Sequence, residues 1–157
     1  MVKNHAQKGS MPKKVILLIG DNLQAEDRLF SANGFLTLPY TNGVEPCDAV
    51  EQGFQYDCAL VDLELPSVGF SHKTGQEVLE HLKRTSRNTP VIIYSNYVSP
   101  SYTKPTQADG AVNPLTMMCV DDWPQNLVRI VNQAIEKAEK EDDFLSRTRK
   151  VLYSSHA

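Results

Sequence analysis

Continuous apolar runs alternate with helix-like segments along this chain, and that alternation constrains the fold more than any other feature. Residues 15–19 (Val-Ile-Leu-Leu-Ile) show no polar alternation, the pattern of a strand buried on both faces. Residues 56–62 and 90–95 read the same way. Residues 35–40 predict another strand, and Pro39, which lacks an N–H, suggests a sheet edge. Residues 110–113 predict a short fifth. Between them, helices are expected over 22–33, 45–52 and 75–84. The first carries Leu23, Leu29 and Phe30 on one face and stops at Asn33-Gly34. The second centres on Ala49 and Val50, and the third sets Val78, Leu79 and Leu82 on one side. A last helix is predicted from Asp122, a suitable N-cap, to about residue 141. Pro124 suits its first turn, and Leu127, Ile130, Val131, Ala134, Ile135 and Ala138 recur at helical spacing. Five strands alternating with helices imply a parallel sheet covered on both faces through right-handed crossovers.

The chain has 157 residues, 41% hydrophobic and 22% charged, which suits one domain with a substantial core. No apolar run approaches the roughly 20 residues that span a bilayer, and the polar start of the chain predicts no signal peptide, so no membrane role is expected. A net charge of -3 gives no basic face for nucleic acid. Cys47, Cys58 and Cys119 are odd in number and far apart, which fits reduced thiols and a cytoplasmic protein. Residues 1–13 read as a flexible N-terminal segment, 14–138 as the domain, and 139–157 as a helical extension or a mobile tail. Phe144, Leu145, Val151 and Leu152 form a second apolar stripe there, readable as a solvated tail or as a contact with a helical partner or a second copy.

Asp62 ends the third strand just before Leu63-Glu64-Leu65-Pro66, and Asp21 follows the first. Open parallel sheets place functional groups at the carboxyl ends of their strands. In a flavodoxin-like order, 2-1-3-4-5, strands one and three are neighbours. Both acids then share a rim with Ser95, which ends strand four, and with Asn113-Pro114, which ends strand five. Two carboxylates, a backbone carbonyl and water suit Mg²⁺, which takes few protein ligands. The cation would let an anionic phosphate approach a carboxylate nucleophile. Alone, Asp62 also reads as a turn or cap carboxylate.

The stretch from about 14 to 138 resembles the CheY-like receiver domain of two-component response regulators. The resemblance rests on Ile-Leu-Leu-Ile-Gly-Asp-Asn (16–22), Ala-Leu-Val-Asp-Leu-Glu-Leu-Pro (59–66), Gly-Gln-Glu-Val-Leu-Glu-His-Leu (75–82), Pro-Val-Ile-Ile-Tyr-Ser (90–95) and Ala-Asp-Gly-Ala-Val-Asn-Pro (108–114). It implies a (βα)5 doubly wound sheet and a signalling module that is not an enzyme. By this resemblance Asp62 is the phosphoacceptor, Asp21 an acid that binds Mg²⁺, Glu64 the donor of a backbone carbonyl to the metal, and Ser95 the switch hydroxyl. The implied partners are a sensor histidine kinase or phosphotransfer protein upstream and a protein partner downstream. The chain departs from the pattern where Gly20 replaces the first of two adjacent acids and Asn113 the lysine before proline. A neutral, shorter Asn cannot form the ion pair that lysine makes with a phosphoryl group. The aromatic that precedes that lysine has no match. These departures favour a second reading, a phosphorylation-impaired pseudo-receiver that serves as a protein–protein interaction module. A flavin carrier is disfavoured, because Asp21-Asn22-Leu23-Gln24 offers no phosphate loop after strand one.

Two loops stand out. The connection 67–74 is longer than the family's turn, and Pro100 and Pro105 in the stretch 96–109 predict an irregular or shortened fourth helix. Lys104-Pro105 there reads as solvated loop. His72 reads as a surface histidine, His81 as structural or exposed, and Trp123 as an anchor for the last helix.

Overall fold

The apolar runs form strands β1 (Val15–Ile19), β2 (Leu36–Tyr40), β3 (Cys58–Val61), β4 (Val91–Tyr94) and β5 (Gly110–Val112). The computed structural model describes residues 12–66, 72–96, 108–117 and 122–154. All four pairings are parallel, in the order β2-β1-β3-β4-β5, the flavodoxin-like order expected from the sequence. Pro39 lies in the outer strand β2, opposite Leu18, where a missing N–H breaks no inner ladder.

Side-chain alternation splits the core into two layers. Leu17, Ile19, Ala59, Val61, Val91 and Ile93 face α2 (Val44–Glu51) and α3 (Gly75–Thr85), whose Cys47, Val50, Val78, Leu79 and Leu82 fill that side. Ile16, Leu18, Cys58, Leu60, Ile92 and Tyr94 face the other side. They pack with Phe30 of α1 (Gln24–Ala32) and with Leu127, Val131 and Ile135 of α5 (Trp123–Ser154). A central parallel strand is thereby apolar on both faces, which is why the inner runs show no polar alternation. Cys47 and Cys58 are free and buried. Burial pushes the Cys47 thiol up to about 11 and raises that of Cys58 further.

Two carboxylates close the amino-terminal edge of the sheet. Asp57 accepts from the Val15 N–H at 2.7 Å, and Asp109 accepts from the Val91 N–H at 2.8 Å and from Lys83 at 2.9 Å. They satisfy strand-end donors that no neighbouring strand reaches.

The helices differ from expectation in places. The first helix starts at Gln24 rather than 22, since Asp21 and Asn22 form a turn at the rim. The last runs to Ser154, past 141 and into the stretch read as a helical extension or a mobile tail. Asp122 precedes it in a left-handed conformation, φ 65°, with its carbonyl accepting from the Asn126 N–H. A four-residue helix, α4 (Pro114–Met117), follows β5 and has no counterpart in the sequence reading. The proline-broken stretch around Pro100, Lys104 and Pro105, the loop 67–71 and Cys119 lie outside the described residues. Among the described residues no helix is long and apolar enough to cross a membrane.

Candidate functional site

Parallel topology brings the carboxyl ends of β1, β3, β4 and β5 to one rim. The Asp62 N–H donates to the Ile19 carbonyl at 2.9 Å and the Gly20 N–H to the Tyr40 carbonyl at 2.9 Å, so the residues after β1 and β3 are held by the ladder. Ser95, 2% exposed, is fixed by its N–H to the Val112 carbonyl at 3.0 Å. Asp21, Asp62 and Ser95 border one hollow of about 230 Å³, with Asn22, Glu26, Tyr94 and Asn96 among its other walls.

Asp62 is set by two further constraints. Its carboxylate accepts from the Glu64 N–H at 3.0 Å, a tight Asx turn that bends the chain away from β3. Behind it, the Gly75 N–H donates to the Leu63 carbonyl at 3.2 Å. Thr74 and Glu77 close a reciprocal capping box at 3.1 and 2.9 Å, which starts α3 at that spot. Glu64 is exposed and does not border the hollow. The sequence thus named three residues that converge and one that flanks them.

Gly20 and Asn113 stand where the resemblance leads one to expect an acid and a lysine. A β-carbon at Gly20 would lie 2.9 Å from Leu23 Cδ1 and 3.3 Å from Asp62 Cβ, so Leu23 occupies space next to the missing acid. Asn113 has a local role: its side chain donates to the Asn96 carbonyl at 3.1 Å and accepts from the Leu115 N–H at 2.9 Å. It ties the end of β4 to the start of α4, a role an extended lysine cannot fill.

Sequence reasoning missed Glu26. It is 5% exposed, and its carboxylate accepts from the Tyr94 hydroxyl at 2.6 Å. Burial, then the Glu26 carboxylate, raises the Tyr94 phenol well above its usual range. Leu23, Glu26 and Phe30 recur at helical spacing, so the pattern contained the signal that Glu26 faces inward. Elsewhere, His72 is exposed. His81 is buried, with Nε2 3.2 Å from a Glu51 carboxylate oxygen but without hydrogen-bond alignment. Trp123 packs against the α1/α5 layer.

No cluster of three or more His, Cys, Asp or Glu side chains suited to a metal ion occurs among the described residues. Asp21 and Asp62 on one hollow remain compatible with Mg²⁺, whose shell is completed by backbone oxygen and water.

No protein-family model and no curated protein sequence matches the chain. Solved structures do. A CheY-like response regulator receiver domain protein from Methanospirillum hungatei JF-1 is similar at 22% identity over 83% of this chain and 99% of its own, with a TM-score of 0.67. The response regulator protein TrrA from Thermotoga maritima, in complex with Mg(2+)-BeF, is similar at 20% identity over 77% and 98%, TM-score 0.62. NtrX from Brucella abortus, in complex with ATP, matches at 15% identity over 85% of this chain and 29% of its own, TM-score 0.68. The chain therefore has the fold of CheY-like receiver domains.

Proposed function

We propose that this chain is a response-regulator receiver module that accepts a phosphoryl group on Asp62 from a sensor histidine kinase or phosphotransfer protein. The observation that carries the reading is the convergence of Asp62, Asp21 and Ser95 on one hollow at the carboxyl rim of the sheet. Asp62 is the nucleophile: a carboxylate oxygen forms the new bond to phosphorus as the donor's bond breaks, giving an acyl phosphate. The Glu64 N–H holds one oxygen of the Asp62 carboxylate. In this reading Asp21 and Asp62 would hold Mg²⁺, to which the resemblance would add the Glu64 carbonyl from just outside the hollow, and the ion would neutralise charge between carboxylate and phosphate. Ser95 supplies a hydroxyl beside the incoming phosphoryl oxygens. The Mg(2+)-BeF complex of TrrA supports the metal assignment by analogy of fold.

Gly20 and Asn113 leave the site one carboxylate and one cation short, so phosphorylation is slower than in a receiver with both. The module acts as a phosphorylated switch, not as an enzyme on a second substrate. Incubation with acetyl phosphate or phosphoramidate and Mg²⁺, read by intact mass, tests the reading. A gain of one phosphoryl group that Asp62→Asn removes supports it. No gain with small donors or with a cognate kinase overturns it in favour of the pseudo-receiver, a reading that the structural use of Asn113 also favours.

A further inference from the structure

The last helix outruns its domain. Leu127, Val131 and Ile135 are in the core, and the Lys14–Glu139 ion pair ties α5 to the base of β1. From 139 to 149 every residue is exposed, including Phe144 at 68% and Leu145 at 47%. The face of α5 that runs from Gln133 to Leu145 is open along its length. Helical segments of this length draw most of their stability from packing an apolar face. Here Phe144, Leu145 and Thr148 share one face, and in the sequence Val151 and Leu152 follow Phe144 and Leu145 by one heptad.

Glu141 lies on that face, and the charges on either side of it indicate what covers it. Residues 139–143 read Glu-Lys-Glu-Asp-Asp, and 146–150 read Ser-Arg-Thr-Arg-Lys. At 3.6 residues per turn, Asp143 and Arg147 lie on one flank of the stripe and Asp142 and Arg149 on the other. Asp143 and Arg147 already pair within the helix at 3.1 Å. Two copies side by side in parallel would set acid block on acid block and base on base. Two antiparallel copies crossing near residue 145 set Asp143 beside Arg147 of the second copy and Asp142 beside its Arg149.

We infer that the outer part of α5 is a self-association helix that pairs antiparallel with a second copy of this chain, Phe144 and Leu145 at the crossing and the acidic and basic blocks interleaved. The overlap of residues 138–152 is ~21 Å long at 1.5 Å per residue, a small interface. This pairing is independent of phosphorylation at Asp62.

Sedimentation of the full chain over roughly 10 µM to 1 mM, the range suited to a small interface, tests it. A concentration-dependent dimer is expected, loosening about tenfold as salt rises from about 0.05 M to about 0.5 M. Leu145→Asp is expected to give a monomer with an unchanged melting temperature, because Leu145 lies outside the core. Asp142→Lys with Asp143→Lys is expected to abolish pairing, and adding Arg147→Glu with Arg149→Glu to restore it. A native chain that stays monomeric overturns the inference. So does a dimer that survives Leu145→Asp, one that tightens with salt, or a fourfold reversal that fails to pair.

Discussion

A β-carbon on Gly75 would stand 2.1 Å from the carbonyl oxygen of Asp62 and 2.4 Å from Leu63 Cα. The first residue of α3 therefore rests directly on the backbone that presents the candidate phosphoacceptor. Both obstacles are main-chain atoms, so neither can swing aside as a side chain would. Gly75→Ala is expected to push the Asp62 turn outward, costing about 1–3 kcal/mol as overpacking. Denaturant unfolding reads the stability loss. A parallel fall in acetyl-phosphate labelling would show that the displaced turn carries the reactive carboxylate.

The Tyr94–Glu26 bond makes a separate prediction. Tyr94→Phe removes the 2.6 Å donor and leaves a buried carboxylate without it, at a cost of about 1–3 kcal/mol. Glu26→Gln keeps an acceptor for the tyrosine hydroxyl and should cost less. Chemical denaturation of both variants checks the order. Equal losses would show that the pair contributes packing rather than a hydrogen bond.

Gly20→Asp restores the acid that the resemblance leads one to expect. The new side chain must displace Leu23, whose Cδ1 and Cγ lie 2.9 and 3.1 Å from the added β-carbon. It also sets a carboxylate beside Asp62. Without metal the variant is expected to melt lower than the parent, from like-charge repulsion. With Mg²⁺ it is expected to regain stability and bind the ion about tenfold more tightly, a modest part of the Coulomb energy of one added charge at close range. Gly20→Ala isolates the steric part. Calorimetric titration with Mg²⁺ decides, and unchanged affinity would count against a metal site at Asp21 and Asp62.

His81 predicts a pH dependence. Burial, then the positive charge of Lys73, lowers its pKa, while Glu51 and Asp48 oppose the shift and Arg84 adds to it. A base whose folded pKa lies below its unfolded value binds more protons when unfolded, so stability rises with pH across that window. The contribution is complete above about 6.5 and is lost as pH falls through the depressed folded value. His81→Gln should flatten the melting-temperature profile on the acid side. A profile as steep as the parent's would assign the effect to other groups.

The strand positions were legible because burial on both faces of a parallel sheet demands uninterrupted apolar residues, and the runs at 15–19, 58–61 and 91–94 meet that demand. Asp21, Asp62 and Ser95 were legible for a related reason, since the end of each such run locates the rim. Glu26 was not. A carboxylate among Leu23 and Phe30 is ambiguous until its partner is known, and that partner, Tyr94, comes from β4 on a distant stretch of chain. The role of Asn113 was half legible. Its failure to match a lysine was plain, whereas its bonds to the Asn96 carbonyl and the Leu115 N–H depend on how two loop ends meet.

Local patterning by itself determined the doubly wound class, the edge place of β2 and the rim that carries Asp62, because periodicity and strand-end chemistry are properties of neighbouring residues. Tertiary structure alone decided that Leu23 occupies the space beside Gly20, that Glu26 is bonded to Tyr94, and that Gly75 bears on the Asp62 carbonyl. The last two are contacts between separate elements of the chain, and the first depends on how the turn after β1 folds. Close packing settles such contacts to a few tenths of an ångström, and no local pattern encodes them.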